Sequence, residues 1–127
     1  MNQNGSDIKY LTNGDKFVSI PMFSPNGENI IYISHLDGRS YITLKNLKNN
    51  TESIVSIFEG VISVPRSFPN GKSLLISHSS DSKTNILSLD LSSKRTKKIT
   101  KSSAISTSPS FSPDQKYMVL SSDVSGN

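Results

Sequence analysis

The stretch Pro21-Met22-Phe23-Ser24-Pro25-Asn26-Gly27, followed by Ile30-Ile31-Tyr32-Ile33, decides the fold because the chain writes it three times. Pro65-Arg66-Ser67-Phe68-Pro69-Asn70-Gly71 precedes Leu74-Leu75-Ile76 in the second copy. Pro109-Ser110-Phe111-Ser112-Pro113-Asp114-Gln115 precedes Met118-Val119-Leu120 in the third. The leading prolines stand 44 residues apart, and Ile42 keeps that step with Ile86, Leu47 with Leu91, and Leu11 with Val55 and Ile99. A fixed period of about 40–45 residues is the length of one four-stranded propeller blade. Pro presets φ in the turn, Asn tolerates the next position, and Gly supplies the left-handed conformation that a bulged hairpin needs. The apolar run behind the turn does not alternate, as expected of a strand buried on both faces. The predicted fold is all-β: a partial β-propeller of about two and a half four-stranded blades on a 44-residue repeat.

Outward from these turns, the repeat divides the chain. Residues 1–7 are polar and expected to be disordered, and 8–12 alternate like the last strand of a preceding blade. One blade is expected over 20–57, a second over 64–100, and a half blade over 108–122. Within the second blade the spacing predicts a second strand over 73–77 and a loop over 79–83. The third copy stops at Ser125-Gly126-Asn127, in the loop where a third strand would begin. Two positions break the pattern. Phe-Ser becomes Ser67-Phe68, which swings the ring to the opposite face unless a bulge absorbs the shift. Gln115 replaces the turn glycine, at a cost wherever φ is positive.

Propellers carry about 4–8 blades, so this chain of 127 residues is read as a segment of a larger ring. Blades stack on their neighbours, and removing neighbours exposes apolar faces and strand edges. The isolated chain is therefore expected to be marginal, to aggregate, or to self-associate; three copies of about two blades would rebuild six. An apolar fraction of 33% with abundant Ser and Asn fits loop-rich β structure and argues against a helical bundle. Cysteine is absent, which excludes a disulfide framework, a thiol nucleophile and cysteine metal sites. Net charge is +4, and much of the excess sits in Lys94, Arg95, Lys97, Lys98 and Lys101. That cluster reads as a solvated turn and strand; without interleaved aromatic rings it carries no nucleic-acid reading. No basic n-region with an apolar run opens the chain, and no stretch reaches the ~18 apolar residues of a membrane span. As written, the chain is expected to stay in the compartment where it is made, without direct membrane insertion.

No catalytic constellation emerges. His35 and His78 are 43 residues apart, lack ligand partners at metal-binding spacing, and read as structural. No Gly-x-Ser-x-Gly elbow and no glycine-rich phosphate loop occurs. Asp37, Asp81 and Asp123 fall at or near matching turns and read as turn residues rather than a calcium array. Asn4-Gly5-Ser6 and Asn49-Asn50-Thr51 match the glycosylation acceptor pattern, which is common by chance. The expectation is a protein that is not an enzyme and holds no cofactor or metal.

Pro-x-Phe-Ser-Pro-(Asn/Asp)-Gly, an apolar strand ending in Ser, and then an Ile-x-x-x-x-Leu strand together resemble the PD40, or TolB-type, β-propeller repeat. The resemblance covers nearly all of residues 8–125. It implies six blades, a periplasmic location, and a binding role in the Tol–Pal envelope system, with outer-membrane integrity and cell division as its outcomes. It also implies a Pal-like peptidoglycan-associated lipoprotein as partner, held at one mouth of the propeller. The family's partner-contacting positions lie in loops ahead of each leading proline. Residue by residue, they carry onto Val61 and Val64 before Pro65, and onto Thr107 before Pro109. Two further readings stand beside this one: an inactive truncated remnant of such a gene, and the propeller of a prolyl-oligopeptidase-like peptidase.

Overall fold

Ten strands build three antiparallel sheets in the computed structural model, which describes residues 1–100 and 105–123. The first sheet runs β1 (Phe17–Phe23), β2 (Asn29–Leu36), β3 (Arg39–Asn46) and β4 (Glu52–Glu59), in that order. The second runs β5 (Val61–Ser67), β6 (Ser73–Ser80), β7 (Lys83–Asp90) and β8 (Thr96–Lys98). A hairpin of β9 (Ser106–Phe111) and β10 (Met118–Ser122) forms the third. β6 and β7 begin and end 44 residues after β2 and β3, so the repeat read in the sequence is kept residue for residue. Each sheet is a radial meander, and the first strands β1, β5 and β9 touch in succession. This is the partial propeller.

Turn chemistry explains the hairpins. In the first turn Gly27 N donates to Ser24 O (2.8 Å) and Ser24 N to Asn29 O (2.9 Å), with Gly27 at φ +71°. Gln115 occupies the same left-handed position at φ +63°. The loop expected over 79–83 shrinks to two residues because β6 and β7 pair as far as Ser80↔Lys83. Asp81 and Ser82 both take positive φ there, as Asp37 and Gly38 do between β2 and β3. Two left-handed residues match the twist of the flanking strands, so these are hairpin turns and both strands run longer than predicted. Asp123 does something else: its Oδ1 accepts from Ile105 N (2.7 Å) beside the β9–β10 pair.

The core is the seam between the first two sheets. Ile31 and Ile33 of β2, Ile42 of β3 and Val55 of β4 pack with Ile62, Leu74, Ile76 and Leu89 of the second sheet. Residues 30–34 are buried without a break, since their two alternating faces are both covered. Leu75 and Ser77 are likewise buried on the face of β6 opposite Leu74 and Ile76. β9 lies against β5, β6 and β7.

Two expectations need correction. Residues 8–12 form no strand, and Ile8 and Tyr10 are 68% and 89% exposed. β4, one 44-residue step on, is a strand because β3 pairs with it, and no described strand pairs with 8–12. The segment still tracks the repeat, since Lys45 Nζ donates to Leu11 O (2.6 Å), and these two positions correspond to Leu89 and Val55 one step on. Residues 1–7 take an exposed turn closed by Asn2 N to Ser6 O (2.8 Å) and by Asn2 Nδ2 to Ser6 Oγ (3.0 Å). Asn and Ser side chains supply what that short backbone lacks. The Ser67-Phe68 exchange neither unpacks its strand nor calls up a special bulge. Phe68 stands where the other copies carry the turn's Ser24 and Ser112, and its ring packs on Phe111 of the next blade, centroids 4.9 Å apart. Lys101 and the loop expected at 125–127 lie outside the described residues.

Candidate partner-binding site

All three residues carried over from the family lie in strands, not in loops. Val61 opens β5 opposite Ser79, Val64 sits within β5, and Thr107 sits in β9 opposite Ser121. The first strand of every copy starts earlier than its leading proline suggests, because pairing resumes on the far side of a bulge. Register shifts fall between Ser19 and Met22, between Ser63 and Arg66, and between Thr107 and Ser110. Each shift brackets an X-Pro pair, and a bulge is where a strand tolerates proline, whose nitrogen has nothing to donate. Pro65 and Pro109 are fully buried. In the first and third copies the residue before the proline is left-handed, Ile20 at φ +52° and Ser108 at φ +53°. A β-branched residue there is strained, and strain at a bulge re-aims the side chains beside it. Sequence reading missed this feature, because a residue before proline ordinarily favours extended backbone.

Val64 and Ser108 hold the same place in the repeat, directly before the proline. Thr107 stands one residue earlier, and Val61 lies at the strand's start. They therefore sample three different levels of the first strands. Val61 is 55% exposed, which suits a contact residue; Thr107 is half-buried.

The crossover from β4 to β5 fixes where Val61 stands. Gly60 takes φ +83°, and a Cβ there would run into the Ser79 carbonyl oxygen. Ser40 Oγ clamps both sides of this crossover, donating to Gly60 O (2.8 Å) and accepting from Ile62 N (3.2 Å). Its single proton is thereby committed, so His35 Nδ1, 3.0 Å away, carries the hydrogen and donates to it. His78 Nε2 donates to Glu59 O (2.7 Å) while its ring tilts against Phe58. Both histidines thus hold chain crossings, and neither lies in a group of metal-ligating side chains among the described residues. Beside this crossover an open cleft is lined by Asp37, Arg39, Glu59 and Asp81, with Arg39 and Glu59 paired at 3.6 Å on the surface.

At the other end of the blades, a cleft of about 330 Å³ runs between the first turns of the two sheets. Asn26, Asn70 and Lys94 rim it over a floor of Leu44, Val55 and Leu91. Lys94 Nζ reaches across from the second blade to Ile54 O of the first (3.2 Å).

The protein-family model described as the TolB beta propeller domain (PD40) matches residues 1–127. The Tol-Pal system protein TolB of Wolbachia sp. subsp. Drosophila simulans (strain wRi) is 76% identical over 61 residues, which is 48% of this chain and 14% of that relative. The crystal structure of TolB from Acinetobacter baumannii superposes with a TM-score of 0.84 at 29% identity, covering 98% of this chain and 31% of that one. An oligogalacturonate lyase in complex with manganese superposes at 0.78 with 15% identity, over 99% of this chain and 38% of the lyase, a likeness of fold alone. The chain thus spans well under half the length of each of these proteins. Because the family model runs the full length of the sequence, and the sheets repeat with the period that the family's blades require, the chain belongs to the TolB β-propeller family.

Proposed function

We propose that this chain is a non-enzymatic, protein-binding part of a propeller of the Tol–Pal envelope system, working in the periplasm on a Pal-like peptidoglycan-associated lipoprotein. The observation that carries this reading is the 76% identity, over 61 residues, to a relative named for that system. The geometry supports a binding role: a rigid seam of buried strands presents first-strand residues, and the bulges before Pro21, Pro65 and Pro109 orient them. Val61 is the exposed contact, and Val64 and Thr107 lie along the same first strands.

The missing neighbours shape the assembly. The β9–β10 hairpin has no third strand among the described residues. Further blades, from a longer chain or from copies of this one, cover that edge in the working assembly. Where copies of this chain cover it, sedimentation velocity on the chain alone gives species larger than 13.9 kDa.

Binding is tested by titrating the soluble domain of a Pal-like lipoprotein against the chain by calorimetry. The proposal expects saturable binding that Val61→Glu weakens about tenfold, the effect of burying an unpaired charge at a contact. Lys72→Glu, on an exposed turn, leaves the affinity unchanged. Absence of binding by a chain with intact β-sheet circular dichroism, or indifference to Val61→Glu, would contradict it.

A further inference from the structure

The second blade ends in an edge strand that, with the turn leading into it, carries a charge equal to the molecule's whole excess. Four of the 14 Lys and Arg residues, Lys94, Arg95, Lys97 and Lys98, stand within five positions, and the other ten match the ten Asp and Glu in number. All four are exposed. β8 lies last in the order β5-β6-β7-β8, so one side of its backbone has no ladder partner among the described strands. None of the four is in an ion pair with a carboxylate among the described residues. The acid beside them in the chain, Asp90, has its Oδ1 occupied by Ser92 N (3.1 Å), Ser92 Oγ (2.9 Å), Ser93 N (2.7 Å) and Ser93 Oγ (2.9 Å). The two ion pairs among the described residues join Arg39 to Glu59 and Lys45 to Glu52, away from this strand. The repeat does not demand the charge either. One step earlier the first blade carries Asn50, Thr51, Ser53 and Ile54 in those places.

We propose that this edge, residues 94–98, is a docking edge for an acidic, extended polypeptide segment that lies along β8 with its carboxylates against the four cations. Successive side chains leave a strand on opposite faces. β8 spans Thr96–Lys98, so Lys97 and Lys98 leave it on opposite faces, while Lys94 (φ +58°) and Arg95 stand in the turn that leads into it. A planar anionic surface laid against either face meets one of the two strand lysines, whereas a strand laid along the edge meets both, runs on past the turn cations, and pairs with the free side of the backbone. No aromatic ring stands in residues 91–100 to stack a base. Edge lysines also ward off unwanted pairing, but the outer strand of the first blade manages without them.

The test uses the full chain and a fluorescein-labelled peptide of alternating Glu and Val, read by anisotropy. Binding is expected at low ionic strength and weakens at least about tenfold between about 50 mM and about 300 mM salt, because the contacts are exposed and screened. Lys97→Glu with Lys98→Glu abolishes it, and the milder Lys97→Gln with Lys98→Gln weakens it about tenfold. Lys72→Glu with Lys83→Glu, elsewhere on the surface, leaves it unchanged. Circular dichroism establishes that each variant is folded. Four results overturn the proposal: no peptide binding at low salt, equal binding of the Gln-for-Glu peptide, indifference to the charge reversal, or capture by phosphatidylglycerol vesicles without peptide binding. The first leaves the cations as edge guards, and the last makes the edge a lipid contact.

Discussion

At the residue scale, backbone conformation separates positions that the sequence makes look alike. Gly60 and Gln115 both sit at positive φ, but only Gly60 is also crowded, by the Ser79 carbonyl. Gly60→Ala meets both a left-handed penalty and a clash, and is expected to destabilise the fold by about 2–4 kcal/mol in urea unfolding. Gln115→Gly relieves the penalty in an exposed turn and is expected to stabilise it by about 0.5–1 kcal/mol. The cost at Gln115 was legible, because two other copies write Gly in the same slot. Gly60 was not, since what crowds it comes from a strand 19 residues away. Nor was the left-handed Ile20, which sequence preference argues against.

At the element scale, short polar devices hold the turns and the first blade's outer face. Asp90 closes the β7–β8 turn with four hydrogen bonds from Ser92 and Ser93, which hold its carboxyl at about 2 against an ordinary 3.8. The folded state therefore favours ionised Asp90. That stability is fully present above about pH 4 and is lost as the pH falls through about 2, and Asp90→Asn removes this part of the acid transition in a pH titration of circular dichroism. Lys45 is nearly buried and bonds both Leu11 O (2.6 Å) and Glu52 Oε1 (2.8 Å). This pairing holds the Glu52 carboxyl below its usual range, while burial pushes the Tyr32 phenol up. Lys45→Ala is expected to cost about 1–2 kcal/mol, because Glu52 is partly exposed and water compensates part of the loss. Hydrogen exchange should rise over residues 9–13 in the same variant. Strand order and boundaries followed the repeat closely, since apolar runs and turn residues recur with it. The 8–12 segment did not, because alternation alone does not make a strand and no described strand pairs with it.

At the scale of the whole molecule, the account rests on sheets stacked face to face through one apolar seam. The chain exposes 8519 Å², against roughly 6,700 Å² for a compact chain of 13.9 kDa. Exposed apolar residues contribute to that excess at both ends, with Ile8 and Tyr10 68% and 89% exposed and Val119 and Tyr117 on the last hairpin 64% and 71%. The architecture was legible because three in-phase copies leave few alternatives. The proposed contact residues were legible only by family resemblance, and strand pairing across the bulges places them in strands and not in the expected loops. The most direct measurement is methyl NOE spectroscopy on selectively labelled Ile and Leu. Stacked blades predict cross-peaks from Ile31 and Ile33 to Leu74 and Ile76, across residues that no single sheet brings together. Cross-peaks confined within each sheet would contradict the propeller arrangement and, with it, the placement of every contact residue argued from it.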